Sequence, residues 1–360
     1  MHDDHFLAFK FHWLNEQGQQ TTLFRKKGNF DGDILTLETT ELPVESIIHA
    51  ELREMKLALS YATGNERDPV GVLLIQLTSK KEAEQLKKLL DLSRSAVWAK
   101  QHKLELEKKG QGDRFRDAIC PQCDATLILT DLPATPQLYC HFCDSLSTLD
   151  PESEPIKEER GLRICEECGM YTRPLKFTIL YIYILLVING FWQKQTWRCP
   201  PCMRGDAWKM LFGNLLFVIG VPVAIVQLVR SYGGSSVGGR FKGLDTGNIK
   251  ARKGDLVGAV TSYRGILERV PVTAGVKYNL GVALLAQGDE EKAASSFEVA
   301  LRDCANYAPA FHQLLRLYPR LGQTEKLKEL QRLWSAGEDQ TGEDQSGMEE
   351  EQIFSADEFE

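Results

Sequence analysis

Four C-x-x-C pairs constrain this chain more than any other feature. They are Cys120-Pro-Gln-Cys123, Cys140-His-Phe-Cys143, Cys165-Glu-Glu-Cys168 and Cys199-Pro-Pro-Cys202, and they use eight of the nine cysteines. A C-x-x-C turn lets both thiolates face one ion, and two such knuckles joined by a hairpin make a tetrahedral S4 site that suits Zn²⁺. Proline after the first cysteine (Pro121, Pro200) and glycine after the second (Gly169) fit the tight knuckle. Two structural zinc ions are expected, one on Cys120, Cys123, Cys140 and Cys143, the other on Cys165, Cys168, Cys199 and Cys202. All-cysteine coordination leaves no position for water, so neither site is expected to be catalytic. His141, lying between two ligands, is expected to be a solvated residue, and Cys304 a small buried apolar one.

Both sets resemble the zinc-ribbon family. The resemblance implies a first ribbon over residues 113–150 and a second over 161–209, separated by an acidic, proline-containing linker at 151–160. The second ribbon carries an apolar insertion at 175–192, LKFTILYIYILLVINGFW. It is apolar enough for a membrane span but short of the roughly 20 residues a span needs. A crossing would put Cys168 and Cys199 on opposite faces, where they could share no metal. Lys194, Arg198, Arg204 and Lys209 also disfavour an external loop. A hairpin turning at Asn189-Gly190, with strands of unequal length, is the favoured reading.

Residues 210–230 begin with MLFGNLLFVIGVPVAIVQLV, uncharged and bounded by Lys209 and Arg230, with Trp208 and Tyr232 at interfacial positions. This reads as a transmembrane helix. Positive charge at both ends leaves open the number of spans and the side on which the following residues lie. A half-inserted, re-entrant arrangement also satisfies the zinc argument. A Gly/Ser hinge is expected at 231–239.

The first 78 residues alternate as strands do: Phe9, Phe11 and Trp13, then Met55, Leu57, Leu59 and Tyr61, with turn chemistry at Asp31-Gly32-Asp33 and Thr63-Gly64-Asn65. The period switches at Ser79, and Leu86, Leu89, Leu90 and Val97 keep helical spacing to about Lys109, before Gly110 and Gly112. Strands closed by one long helix over residues 1–109 resemble the bacterial pleckstrin-homology-like domains. That resemblance implies contact with lipid headgroups or proteins, although no basic loop cluster marks a phosphoinositide site.

Beyond the hinge, Gly254, Gly288 and Gly322 recur every 34 residues, as do Ala259, Ala293 and Leu327, and Tyr263, Phe297 and Gln331. Over 240–336 this resembles three tetratricopeptide repeats, which implies stacked helix pairs with a concave face for a peptide or partner helix. No carboxylate clamp is evident. The acidic tail, 337–360, is too poor in aliphatics to fold by itself.

The expected whole is a multidomain α+β protein and a non-enzymatic, membrane-anchored adaptor. Its ribbons would face the cytoplasm, since the start MHDDHFLAFK suggests no cleaved leader and the paired thiols suit a reducing compartment. A net charge of -7, and a first ribbon without Lys or Arg between Cys120 and Cys143, disfavour nucleic acid. Motifs for metalloprotease, phosphate-loop, hydrolase and dinucleotide chemistry are lacking. Nucleic-acid binding by the ribbons and thiol redox chemistry at the C-x-x-C pairs are the alternatives.

Overall fold

A computed structural model describes residues 6–65, 68–149, 159, 161–185, 188–214, 221–233 and 237–338. The expected acidic tail lies almost wholly outside these residues, as do most of the 151–160 linker and residues 234–236 of the hinge. The chain is mixed α+β, an antiparallel sheet followed by helices, in two compact units divided after Leu132, with the residues from Gln331 onward belonging to the first.

In the first unit, β1 (Leu7–Trp13), β2 (Lys26–Phe30), β3 (Ile34–Leu37), β4 (Thr40–Pro43), β5 (Ile47–Arg53), β6 (Lys56–Asn65) and β7 (Asp68–Leu77) form one antiparallel sheet in the order β4-β3-β2-β1-β7-β6-β5. The period-2 alternation puts Phe9, Phe11, Leu57 and Leu59 on the buried face. Helix α1 (Lys80–Lys108) covers that face through Ala83, Leu86 and Leu90, at helical spacing. It begins where Ser79 accepts the Glu82 N–H, and it stops before Gly110, whose φ of +69° no helix continues. Each fully buried Leu or Phe here contributes about 1.5–3 kcal/mol. Asp31-Gly32-Asp33 makes the β2–β3 turn as expected. Thr63-Gly64-Asn65 instead lies inside β6, where the register slips. The short strands β8 (Asp117–Ile119) and β9 (Thr126–Ile128) pair with each other.

The second unit holds three further strand pairs. They are β10 (Gln137–Cys140) with β11 (Ser145–Thr148), β12 (Arg163–Ile164) with β13 (Tyr171–Thr172), and β14 (Leu175–Leu185) with β15 (Ile188–Arg198). The last pair corrects the expected turn. Leu185 faces Ile188 and Asn189 faces Ile184, so Asn189-Gly190 is ladder rather than turn, and the two strands are equal. The ladder runs unbroken from the Leu175–Arg198 rung to the Leu185–Ile188 rung, so its register agrees with ends held together rather than with the Asn-Gly signal.

The expected transmembrane helix at 210–230 is not one helix. Helix α2 (Pro200–Gly213) starts ten residues upstream and ends at Asn214, whose N–H bonds the Met210 carbonyl; helix α3 (Val221–Gly233) follows. Among the described residues no helix is long and apolar enough to cross a membrane. Helix α2 packs against α3 and β14 around Phe177, Met203, Ala207, Met210 and Ala224. The expected hinge is also engaged at both ends: Ser231 to Gly233 complete α3, and Val237 is buried with its N–H on Asp245.

Three helix pairs follow: α4 (Leu244–Arg252) with α5 (Leu256–Leu267), α6 (Ala274–Ala286) with α7 (Glu290–Asp303), and α8 (Ala308–Arg320) with α9 (Thr324–Glu338). The 34-residue period has a steric cause. A Cβ built on Gly247 would stand 2.6 Å from the Tyr263 ring, and one on Gly281 would stand 2.6 Å from the Phe297 ring. Glycine on the first helix thus receives the aromatic ring of the second. Gly281→Ala is expected to destabilise the protein by about 1–3 kcal/mol in urea unfolding, through overpacking. Gly205→Ala, in open space on α2, should be neutral or slightly stabilising.

Candidate metal centres

The eight paired cysteines gather into the two expected sets, Cys120, Cys123, Cys140 and Cys143, and Cys165, Cys168, Cys199 and Cys202, with the sulfurs of each set within 4.8 Å of one another. A tetrahedral zinc thiolate with bonds of about 2.3 Å has S–S edges of about 3.8 Å. In the second set Cys165 Sγ lies 3.8 Å from Cys202 Sγ, and Cys168 Sγ 3.8 Å from Cys199 Sγ. The donor set and its spacing therefore fit zinc.

Local backbone chemistry builds the knuckles. Cys165 N–H bonds the Met170 carbonyl and Gly169 N–H bonds the Cys165 carbonyl, each at 2.9 Å, with Gly169 at φ +65°. The first knuckle repeats this with Cys120 to Ala125 and Asp124 to Cys120, each at 2.9 Å, and Asp124 at φ +67°. Backbone N–H groups also reach sulfur: Gln122 on Cys120 at 3.4 Å and Cys199 on Cys165 at 3.3 Å. The fourth pair differs from expectation. Cys199 is the N-cap residue of α2 and Pro200 its first residue, so Cys199 and Cys202 sit at the positive end of a helix, which favours thiolate.

Packed without a cation, these four thiols oppose one another. Hydrogen bonds from Cys168, Cys199 and Cys202 hold Cys165 far below the usual thiol range. Cys199 and Cys202 are pushed far above it, chiefly by Cys165. Cys168, raised by Cys165 but lowered by Cys199 and Cys202, also ends below the usual range, and zinc would supply the positive charge that four adjacent thiolates need.

The β14–β15 hairpin closes the second set. Its first rung pairs Leu175 with Arg198, next to Cys199, so the chain leaves the knuckle and returns to it. Glu166 N–H donates to the Trp197 carbonyl and Trp197 N–H to Glu166 Oε1, both at 3.0 Å. Arg198, nearly buried, pairs with Glu167 at 3.0 Å and with Asp206 of α2. His141 is exposed and outside both sets, and Cys304 is buried, its thiol pushed up by desolvation.

Sequence reasoning missed how the helix pairs hold the ribbon strands. Asn279 of α6 accepts from Tyr171 N–H at 2.7 Å and donates to the Tyr171 carbonyl at 2.7 Å. Asn306 does the same for Tyr139, at 3.0 and 2.7 Å. Asn248 of α4 also donates to the Tyr171 carbonyl, at 3.0 Å. Asn248, Asn279 and Asn306 thus hold this chain's own extended backbone. Glu159, expected in a solvated linker, is likewise buried, bonded by Gln137 at 2.9 Å and Thr148 at 3.2 Å. Neither feature has a local sequence signal.

Cys202→Ser is expected to lower the zinc of natively purified protein from two ions to one, measured by atomic spectroscopy, with the Cys120 set still loaded. Burial pushes the Glu159 carboxyl up to about 7 from an ordinary 4.5. The folded state therefore keeps a proton that the unfolded chain has released, and the contribution to stability falls as pH rises from the lower value through the higher. Glu159→Gln should raise the unfolding temperature relative to wild type at about pH 8, with the difference vanishing near the unfolded-state value. The assignment of the metal centres rests on geometry alone, for no protein-family model and no curated protein matches the chain.

Proposed function

We propose that this chain is a non-enzymatic scaffold, built around two structural zinc ions, that docks protein partners at the cytoplasmic face of a membrane. The observation that carries the reading is the pair of complete four-cysteine sets. Four thiolates fill a tetrahedral ion, leaving neither water nor substrate a place in its first coordination shell, so such a metal contributes folding energy instead of turnover. The helix pairs support the scaffold part, because the 34-residue repeat gives the stacked construction of tetratricopeptide arrays. Their inner asparagines already grip Tyr171 and Tyr139 of the same chain. Partner docking is therefore assigned to the outer faces of the pairs. The uncharged stretches around residues 177–193 and 210–229 support the membrane part.

Thiol titration of the natively purified protein tests the zinc core. The eight paired thiols are expected to stay unreactive until a chelator is added, and then to react as two zinc ions are released. Rapid reaction without chelator, or reversible dithiol–disulfide cycling of one pair, would favour the redox alternative instead.

A further inference from the structure

Helix α3 is inverted for a helix in water. Gln227 and Ser231 are buried, 5% and 0% exposed, while Val226, Val229 and Tyr232 are exposed at 55%, 65% and 62%. The buried polar side chains are satisfied locally: Ser231 Oγ donates to the Leu228 carbonyl at 2.6 Å, and Gln227 Oε1 accepts from Arg230 at 3.4 Å. On α2, Trp208 and Phe212 are also exposed, their rings stacked at 5.9 Å. In water the exposed part of each of these apolar groups forfeits the gain of burial. Such a face marks a contact with another apolar phase.

The charges identify that phase. The cations of α2 and α3 are Arg204, Lys209 and Arg230, against a single acid, Asp206. Arg204 lies 4.9 Å from the Tyr232 ring centre and donates to the Ser231 carbonyl, and Lys209 adjoins Trp208, its side chain 76% exposed. Tryptophan and tyrosine beside outward-facing cations match a headgroup layer with anionic lipids better than they match a protein core.

Length decides the depth. At 1.5 Å per residue, the 14 residues of α2 and the 13 of α3 are each roughly 20 Å long, against a hydrocarbon core of about 30 Å. Neither helix is long enough to span, so the exposed face lies along one leaflet. We propose that the exposed face of α2 and α3 inserts into a single leaflet of an anionic bilayer, so that the protein is monotopic. This rests on the membrane part of the function proposed above and specifies its mode. It also leaves Cys168 and Cys199 on one side, as their 3.8 Å separation demands.

Full-length, zinc-loaded protein should co-float with vesicles of phosphatidylcholine and phosphatidylserine. The double variant Val226→Asp, Val229→Asp, altered only at exposed positions and checked for retained zinc, should bind at least about tenfold more weakly. Lys209→Glu should weaken binding to the anionic vesicles but not to pure phosphatidylcholine. Protease added outside sealed vesicles should reach both the ribbons and the helix pairs. Equal flotation of wild type and double variant would overturn the α2–α3 face while leaving membrane association intact. Absence of flotation by either would remove membrane association as well. Protection of the helix pairs inside the vesicle would replace one-leaflet insertion by a span. A wild type that is dimeric and does not float, beside a monomeric double variant, would assign the face to a second copy of the chain.

Discussion

Four sulfur atoms within reach of one ion fix the geometry of the chain from Cys165 to Cys202. Two of them end a tight knuckle, and two begin α2. Everything between must therefore leave and return to one point, and an antiparallel hairpin of equal strands does so while pairing its backbone internally. Arg198 reinforces the closure with carboxylates on both the knuckle and α2. An ion bound there would tie the hairpin and the start of α2 into one thermodynamic unit.

The knuckle also delivers Tyr171 to the helix pairs, three residues beyond Cys168. There Asn279 meets both polar groups of a single peptide backbone residue, and Asn306 repeats the arrangement on Tyr139. A fork of this kind satisfies a buried N–H and C=O without regard to side-chain identity, as a strand partner would. Tyr139, Leu146, Leu162 and Tyr171 share one hydrophobic cluster with the helices, so the short strands around them and the helix pairs are parts of one core. These asparagines therefore serve the chain's own construction.

Much of this was legible wherever the signal is local. The cysteine spacing named all eight candidate ligands and both sets. The change of period at Ser79 marked the start of α1, and the 34-residue recurrence marked helix pairs whose cause is Gly247 beneath Tyr263 and Gly281 beneath Phe297. What misled was composition read without register. Asn189-Gly190 looked like a turn because Asn-Gly favours left-handed backbone, yet the closure at Leu175–Arg198 sets the ladder and leaves the turn elsewhere. An uncharged stretch of 20 residues looked like one helix because hydropathy averages over a window and cannot see α2 end at Asn214.

Which residues can hold metal, where α1 begins and that helix pairs repeat were readable in the order of residues, because each depends on neighbours a few residues apart or on a fixed period. Which side of α3 faces outward, what raises the Glu159 carboxyl, and what Asn248, Asn279 and Asn306 hold came from folding alone. Those depend on surfaces from distant segments meeting, and burial, which sets the cost of a charge or an exposed valine, is a property of that meeting alone.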